Sequence, residues 1–547
     1  MPFFRGTAAL MTGKVIDRDR VLRRVWLLLA TIVFVLVIAI RIRLLSIPLE
    51  RDEGEYAYTG QLMLQGIPPY KLAYNMKFPG TYAAYAGIMS LFGQTINGIH
   101  LGLLMVNAAT IVLTFFLGRR LVNSIAGLAA AIAYAILSLS PSVFGLAAHA
   151  THFVMLPVLG ATLLLLRQSD RGAIVSLFAS GLLFGIGLLM KQPAFFFVLF
   201  GGIYLVSNDL RRRVGLRAIL LRNLIFGGGA ILPFGITCLL LWYAGVFDKF
   251  WFWTIDYARQ YATVVPLKEA LRMFAETVTK VIGASWTLWL LAGFGLLAGV
   301  WHKATRASTS FLLGLFAASA LALSSGLYFR EHYFIFVLPT VSLFVGIAIS
   351  KLTARVTGHT KIVRFVPLSV LAAAVCLPVI LAETLFFEAS PVEACRMIYD
   401  LNPFPESIRI AEYARNHTDP EDTIGILGSE PQIYFYSNRH AATGYIYTYS
   451  LMELQSYALP MQQEMIREIE VTRPKYLIAV HITSSWLKHP GSEALILRWI
   501  NVYLKEHYDV VGAVNIVAND RTDYYFEQVP KLALPPVNYI LLYQRKL

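Results

Sequence analysis

The sequence predicts a polytopic α-helical membrane protein that ends in a small α/β domain outside the membrane. Hydrophobic residues make up 57% of its 547 residues and the mean hydropathy is +0.59, which is the composition of a chain that is apolar over most of its length. Apolar runs recur through residues 1–387, whereas residues 388–547 have the polarity of an ordinary globular domain. We therefore predict a transmembrane domain over 1–387 and an extracytoplasmic domain over 388–547.

About eleven apolar runs have the length that crosses a bilayer, roughly 17–25 residues each. The first follows a basic N-terminus and lacks a small-residue cleavage site, which predicts an uncleaved signal anchor. Segment 81–93 is apolar but too short to span, which predicts an interfacial or re-entrant helix. The predicted spans are 25–46, 97–118, 121–140, 144–166, 172–190, 193–207, 219–245, 277–300, 309–327, 332–350 and 363–387.

The net charge of +14 is a topology signal. With the N-terminus in the cytoplasm, every predicted inner loop is basic and nearly free of acids, which is the positive-inside pattern of a plasma (inner) membrane protein. This placement argues against nucleic acid as a partner and indicates contact with membrane lipids. Segments 47–96, 246–276 and 324–333 then lie outside with the C-terminus. The three cysteines are scattered and predict no disulfide framework or metal site.

The C-terminal 160 residues alternate between two hydrophobic periodicities. Helix-like patterns cover 405–417, 454–470 and 492–506. Strand-like patterns cover 423–427, 476–480, 510–517 and 537–543. The alternation predicts a small α/β domain.

The first polar segment, 47–96, is the strongest candidate for a functional site. Asp52, Glu53 and Glu55 cluster beside the end of the first apolar helix, where carboxylates are costly unless solvated, paired or functional. Glu55 is interpreted as structural. The combination of acids, a lysine and aromatic rings suits a sugar and a phosphate better than a transported ion. The tyrosines of this segment are Tyr56, Tyr58, Tyr70, Tyr74, Tyr82 and Tyr85.

Three cations depart from the positive-inside pattern. Lys77, Lys191 and Arg330 lie at the predicted outer ends of spans, so each calls for a partner. An enzyme that uses a lipid-phosphate sugar needs a carboxylate to accept a proton and cations to stabilise the leaving phosphate. The alternatives are interfacial lysines that extend towards water and an ion pair between Arg330 and Glu331.

Several short motifs in order along the chain resemble those of the GT-C superfamily of membrane glycosyltransferases. The chain is most similar to the family 39-type enzymes related to protein O-mannosyltransferases and to the lipid A aminoarabinose transferase. The similarity covers most of the membrane part, its topology and the outer domain. The motifs are Asp52-Glu53, Gly66-x-Pro68-Pro69-Tyr70, Lys77-x-Pro79-Gly80, Lys191-Gln192-Pro193 and His332-Tyr333 ahead of Pro339.

The resemblance implies a GT-C-like fold and transfer, with inversion, from a polyprenyl-phosphate sugar donor on the outer face. The acceptor is a glycan, a lipid or a protein of the cell envelope. It implies Asp52 as the catalytic general base and Glu53 as its neighbour in the catalytic site, which positions the acceptor or a metal. The alternative for both residues is a solvated pair at the start of a helix. It assigns Lys77 to the donor phosphate, and we extend that role to Lys191 and Arg330. The residues expected to shape the substrate site are Tyr56, Tyr70, Tyr74, His332 and Tyr333.

Two other functions fit parts of the pattern. A transporter or lipid-linked sugar flippase would place charges at mid-membrane and show internal repeats, and neither is evident in the sequence. A non-catalytic envelope partner would not need the acidic doublet. His149 and His152 are interpreted as an interhelical hydrogen-bonding pair, so no metal ligand is assigned, and a divalent cation stays open as a cofactor.

Overall fold

The computed structural model describes residues 5–167, 173–360, 362–527 and 537–546. Up to residue 399, long apolar helices alternate with shorter connecting helices and turns. They are α1 (Arg5–Arg43), α2 (Arg51–Leu64), α3 (Gly80–Phe92), α4 (Ile96–Leu121), α5 (Ser124–Leu137), α6 (Ala150–Leu165), α7 (Ala173–Met190), α8 (Phe195–Arg211), α9 (Leu216–Tyr243), α10 (Phe247–Trp251), α11 (Ala258–Tyr261), α12 (Leu267–Gly283), α13 (Trp286–Trp301), α14 (Lys303–Leu323), α15 (Leu338–Val356), α16 (Val366–Leu381) and α17 (Pro391–Tyr399).

The apolar helices make this a multi-pass membrane protein. Within the described residues, seven helices are long and apolar enough to cross a membrane, or eight if a bent pair counts as one span. Helices α5, α6 and most of α7 are apolar but shorter. The predicted count of about eleven spans is not confirmed, although every predicted span contains a helix.

The predicted span 277–300 is wrong as a continuous helix. The chain bends by 98° between α12 and α13, around Ala284 and Ser285. Helix α12 carries Lys268, Arg272 and Lys280 among its apolar residues, so it is amphipathic, and the predicted span joined its last turns to the apolar α13. Hydropathy averaged over a window of residues conceals such a break.

The C-terminal region is a mixed sheet with helices. Its helices are α18 (Phe404–Asn416), α19 (Gln432–Ser437), α20 (Tyr449–Met452), α21 (Ala458–Thr472), α22 (Thr483–Trp486) and α23 (Leu495–His507). Its strands are β1 (Thr423–Leu427), β2 (His440–Ala441), β3 (Tyr476–His481), β4 (Tyr508–Ala518), β5 (Arg521–Phe526) and β6 (Tyr539–Arg545). The order is β2-β1-β3-β6-β4-β5, parallel from β2 to β3 and antiparallel beyond. The short strand β2 and the half-buried strand β5 were not predicted.

The first polar segment and the C-terminal sheet share one hydrophobic core. The ring of Tyr58 in α2 packs against the ring of Tyr434 in α19, with centroids 5.1 Å apart. Both tyrosines belong to a buried cluster that includes Ile426 and Ile478 of the sheet. The two helices pack closely because position 54 is glycine: a Cβ there would lie 2.6 Å from the Gln432 backbone nitrogen. This packing fixes α2, and hence its acidic end, against the C-terminal region.

Candidate active site

A cavity of about 230 Å³ lies between the first polar segment, the ends of the apolar helices and the C-terminal region. It brings together side chains that are more than 250 residues apart in sequence. The residues predicted from the sequence that line it are Asp52, Tyr74, Lys77, Lys191, Arg330, His332 and Tyr333. An enclosed cleft with a few convergent polar groups is the usual form of a small-molecule site.

Asp52 presents its two oxygens to different surroundings. Its Oδ1 accepts hydrogen bonds from Lys77 Nζ and the Tyr447 hydroxyl, each at 2.9 Å. Its Oδ2 lies 3.8 Å from His149 Nδ1 and 3.9 Å from His332 Nε2, beyond hydrogen-bonding distance. Burial opposes ionisation, but Lys77 outweighs it and holds the pKa of Asp52 well below its usual value. Asp52 is therefore an ionised carboxylate with one oxygen available to a ligand.

Lys77 is the counter-ion of two carboxylates. Besides Asp52, its Nζ contacts Glu55 Oε2 at 2.7 Å and lies 4.6 Å from the centre of the Tyr56 ring. Burial lowers the pKa of Lys77, but Asp52 and Glu55 raise it well above the usual value, so the ammonium stays charged. An ammonium has three N–H donors, and this arrangement leaves one for a ligand in the cavity.

Glu53 points away from the cavity. It forms a capping box with Glu50, in which each side chain accepts from the other residue's backbone nitrogen. Its Oε1 also accepts from the Ala148 backbone nitrogen at 2.6 Å and lies 3.1 Å from His100 Nε2. Burial raises the pKa of Glu53, but His100 and the Ala148 N–H lower it below the usual value. Glu53, predicted to be a catalytic residue, therefore stabilises the N-terminus of α2.

Lys191 and Arg330 present positive charge to the cavity without forming a salt bridge to an acid of the described residues. Within the described residues, neither side chain forms an ion pair or a hydrogen bond; Lys191 Nζ lies 3.9 Å from the centre of the Tyr333 ring, and the Arg330 guanidinium lies 5.5 Å from that of Tyr328. Glu331, the alternative partner for Arg330, instead lies 3.6 Å from Lys280. Burial lowers the pKa of Lys191 to about 7. Buried cations without anions favour an anionic ligand.

The three predicted tyrosines of the first segment have different surroundings. Tyr74 lines the cavity and donates to Glu468 of α21 at 3.0 Å. Tyr56 is buried beneath the Lys77 ammonium. Tyr70 is also buried, and its hydroxyl donates to the backbone oxygen of Lys77 at 2.7 Å. Tyr56 and Tyr70 thus support Lys77 from behind, whereas Tyr74 alone of the three lines the cavity.

Asp52, His149 and His332 form an arrangement that fits a metal ion. One ligand atom from each lies within 4.8 Å of the others, and the two imidazoles stack at 4.0 Å with their planes 8° apart. Both nitrogens of His149 are buried and lack a hydrogen-bond partner in the described part of the chain. Burial lowers the pKa of His149 to about 4 and that of His332 well below its usual value, so both rings are neutral ligands at pH 7.

Sequence reasoning missed much of the cavity wall. Behind this wall, His149, interpreted as a hydrogen-bonding residue, lies beside Asp52, and Glu55, interpreted as structural, pairs with Lys77. The C-terminal region contributes a wall that no local motif marks, and the aromatic segment near residue 255 contributes another. The residues that complete these two walls are Trp253, Tyr257, Tyr261, Tyr447, Tyr449 and Glu453. One signal was present in the sequence, the density of aromatic residues over 246–276.

Comparison with known proteins identifies the fold. Residues 77–241 match the family model of dolichyl-phosphate-mannose-protein mannosyltransferase. The structure of ArnT from Cupriavidus metallidurans bound to undecaprenyl phosphate is similar to this chain, with 14% sequence identity and a TM-score of 0.54. The alignment covers 96% of this chain and 99% of the ArnT chain. The chain has the GT-C glycosyltransferase fold. This confirms the predicted fold class.

A second glycosyltransferase shares this GT-C fold. The archaeal oligosaccharyltransferase AglB from Archaeoglobus fulgidus, in complex with an inhibitory peptide and a dolichol-phosphate, is 13% identical to this chain, with a TM-score of 0.55. The alignment covers 92% of this chain and 75% of the AglB chain. Another structure of that enzyme, a complex with Zn and sulfate, has 14% identity, 91% coverage of this chain, 73% of its own, and a TM-score of 0.53. No curated protein matches the sequence.

Proposed function

We propose that this GT-C protein is an inverting glycosyltransferase that moves a sugar from a polyprenyl-phosphate donor to an acceptor of the cell envelope. The observation that carries the proposal is the cavity itself, in which the ionised Asp52 faces the same space as Lys191 and Arg330. A base and a pair of cations without anions are the two groups that this reaction requires. The similar structures of ArnT and AglB contain undecaprenyl phosphate and dolichol-phosphate, which supports the donor class.

The reaction assigns a separate task to each group. Asp52 Oδ2 takes the proton from an acceptor hydroxyl while the oxygen of that hydroxyl forms a bond to the anomeric carbon of the sugar. The bond from that carbon to the phosphate oxygen breaks on the opposite face, and the electron pair leaves with the phosphate. Lys191 and Arg330 stabilise the charge that develops on this phosphate, together with the third N–H of Lys77. Lys77 also keeps Asp52 ionised, and Glu53 holds the helix that carries it.

The orientation supports transfer on the outer face. In the positive-inside arrangement the basic loops lie in the cytoplasm, and the cavity beside α2 opens on the other side with the C-terminal region. We therefore propose the plasma membrane, a cytoplasmic N-terminus and an envelope acceptor: a glycan, a lipid or a protein. The C-terminal wall of the cavity is the surface next to which that acceptor would enter.

The experiment that tests this function separates transfer from transport. Purified wild-type protein and Arg330→Ala are placed in liposomes with radiolabelled mannosyl decaprenyl phosphate and extracted envelope acceptors. A transferase releases one decaprenyl phosphate for each sugar transferred, and Arg330→Ala loses most of this activity. Movement of the intact donor across the bilayer without release of decaprenyl phosphate would contradict the proposal and support a flippase.

A second proposal concerns a divalent cation bound by Asp52, His149 and His332. Its basis is the closeness of the three ligand atoms to one another and the two buried nitrogens of His149, which lack a hydrogen-bond partner in the described part of the chain. A bound cation would supply positive charge beside Asp52, on the acceptor side of the sugar. Zinc content and affinity, measured by mass spectrometry and calorimetry, should fall in His149→Ala but not in the control His417→Ala, which alters a half-exposed histidine elsewhere. Equal zinc binding by both variants would contradict this site.

A further inference from the structure

The cavity contains a second carboxylate that the proposed reaction does not use. Among the described residues that line it, Asp52 and Glu453 are the two acids. Glu453 follows α20 in the C-terminal region, and only 7% of its surface is exposed. A buried carboxylate is costly unless its oxygens accept hydrogen bonds, so its position in a ligand cavity calls for an explanation.

Glu453 is held in place from the opposite wall. The Tyr257 hydroxyl donates to Glu453 Oε2 at 2.7 Å, across 196 residues of sequence. Tyr257 is itself fixed by Trp253, with ring centroids 5.2 Å apart, in an aromatic segment that lines the cavity. The carboxylate is therefore pre-oriented, and the hydrogen bond from Tyr257 occupies one of its two oxygens.

The charges around Glu453 leave it without a full counter-ion. Arg330 faces it from the segment after α14 and Tyr328 contacts it from the same segment, while Tyr257 and Tyr261 face it from the aromatic segment. No ion pair joins Glu453 to Arg330 within the described part of the chain. Burial raises the pKa of Glu453 to about 7, against the hydrogen bonds from Tyr257 and Tyr328 and the charge of Arg330, so further N–H or O–H donors from a ligand would favour its ionised form.

We propose that Glu453 is a sugar-recognition residue, which accepts hydrogen bonds from hydroxyl or amino substituents of the donor sugar. This inference rests on the proposed function and adds a determinant of sugar specificity to it. If Lys191 and Arg330 bind the phosphate and Asp52 faces the acceptor, the sugar ring lies between them. Its substituents then project towards the side walls, where Glu453 and the rings of Trp253 and Tyr257 lie. Carboxylates and aromatic faces together suit a polar ring with apolar C–H surfaces.

Binding measurements separate recognition of the sugar from recognition of the phosphate. Trp253 lines the cavity, so its fluorescence is expected to report binding in detergent micelles. The probes are decaprenyl phosphate alone and decaprenyl phosphate that carries mannose, glucose, galactose or 4-amino-arabinose. The proteins are wild type, Glu453→Gln and the control Glu464→Gln, which alters an acid of α21 that pairs with Lys249 outside the cavity.

The proposal predicts a loss that depends on the sugar. Glu453→Gln should bind bare decaprenyl phosphate within twofold of wild type, but should bind the best sugar-linked probe about tenfold more weakly. This is the difference between hydrogen bonds to a charged and to a neutral acceptor. Glu464→Gln should match wild type with every probe.

Three results would overturn the proposal. One is an equal loss of bare and sugar-linked probes by Glu453→Gln, which would indicate a general distortion of the cavity. Another is no loss with any probe. The third is wild-type protein that binds every sugar-linked probe no more tightly than bare decaprenyl phosphate. Failure of the wild type to bind even the bare phosphate would instead contradict the underlying transferase function, so the two failures are distinguishable.

Discussion

The Tyr447 hydroxyl donates a hydrogen bond to Asp52 Oδ1 at 2.9 Å, across 395 residues of sequence. This contact joins the C-terminal region to the proposed catalytic base. Because Lys77 binds the same oxygen, the carboxylate is held by two donors and its Oδ2 is directed towards the two histidines. The C-terminal region is thus part of the candidate active site as well as a neighbour of it.

Removal of the Tyr447 hydroxyl should slow transfer without weakening donor binding. A hydrogen bond of about 1.5–3 kcal/mol to the ionised carboxylate that acts as the base corresponds to a loss of about 13–160-fold in kcat for Tyr447→Phe. KM for the donor should change little, because Lys191 and Arg330 are untouched. Steady-state transfer kinetics give both constants. Tyr457→Phe is the control, since its ring packs on Phe252 away from the cavity. Unchanged kcat in Tyr447→Phe would contradict a positioning role.

Donor affinity should depend on pH through Lys191. Its ammonium is charged below a pKa of about 7 and neutral above it, so decaprenyl phosphate should bind more weakly as the pH rises from 6.5 to 8.5. The expected change approaches tenfold per pH unit above the pKa. Lys191→Arg keeps its charge throughout and also controls for ionisation of the phosphate itself. The same pH profile in the arginine variant would exclude Lys191 as the titrating group.

Gly54 should be required for the packing of α2 on α19. A methyl group at this position would lie 2.6 Å from the Gln432 backbone nitrogen, and such overpacking costs about 1–3 kcal/mol. We expect Gly54→Ala to lower the Tm in detergent and to reduce transfer, because Asp52 lies on the same helix. Gly87→Ala on α3 is the matched control, since no heavy atom lies within 4 Å of its added methyl. Equal melting of the two variants would show that this contact does not matter.

The sequence predicted the parts of the site that short motifs carry. Asp52, Lys77 and Tyr74 lie within one polar segment, and Lys191 and Arg330 depart from the charge pattern of their surroundings. The four charged residues are conspicuous because a charge beside an apolar span on the outer side calls for a partner. The apolar runs predicted the helices, although the average hydropathy of residues 277–300 concealed the bend before α13.

The sequence did not predict the contacts that only tertiary folding creates. Tyr447 and Glu453 lie in a region of ordinary polarity, where a tyrosine and a glutamate carry no local sign of a site. Adjacent residues also leave their orientation open: a rotation of about 100° per residue separates Asp52, which faces the cavity, from Glu53, which faces Ala148 and His100. The capping box that occupies Glu53 was not recognised, because its partner Glu50 is an uncommon N-cap residue.

Sugar transfer by Asp52→Asn tests the central claim most directly. Transfer of labelled sugar from a decaprenyl-phosphate donor to envelope acceptors should fall by about 10²–10⁴-fold, the usual contribution of a general base. Binding of decaprenyl phosphate should be largely kept, and the control Asp248→Asn, at an exposed position of α10, should match wild type. Transfer at the wild-type rate by Asp52→Asn, matched for expression and folding, would contradict the assignment of Asp52 as the base.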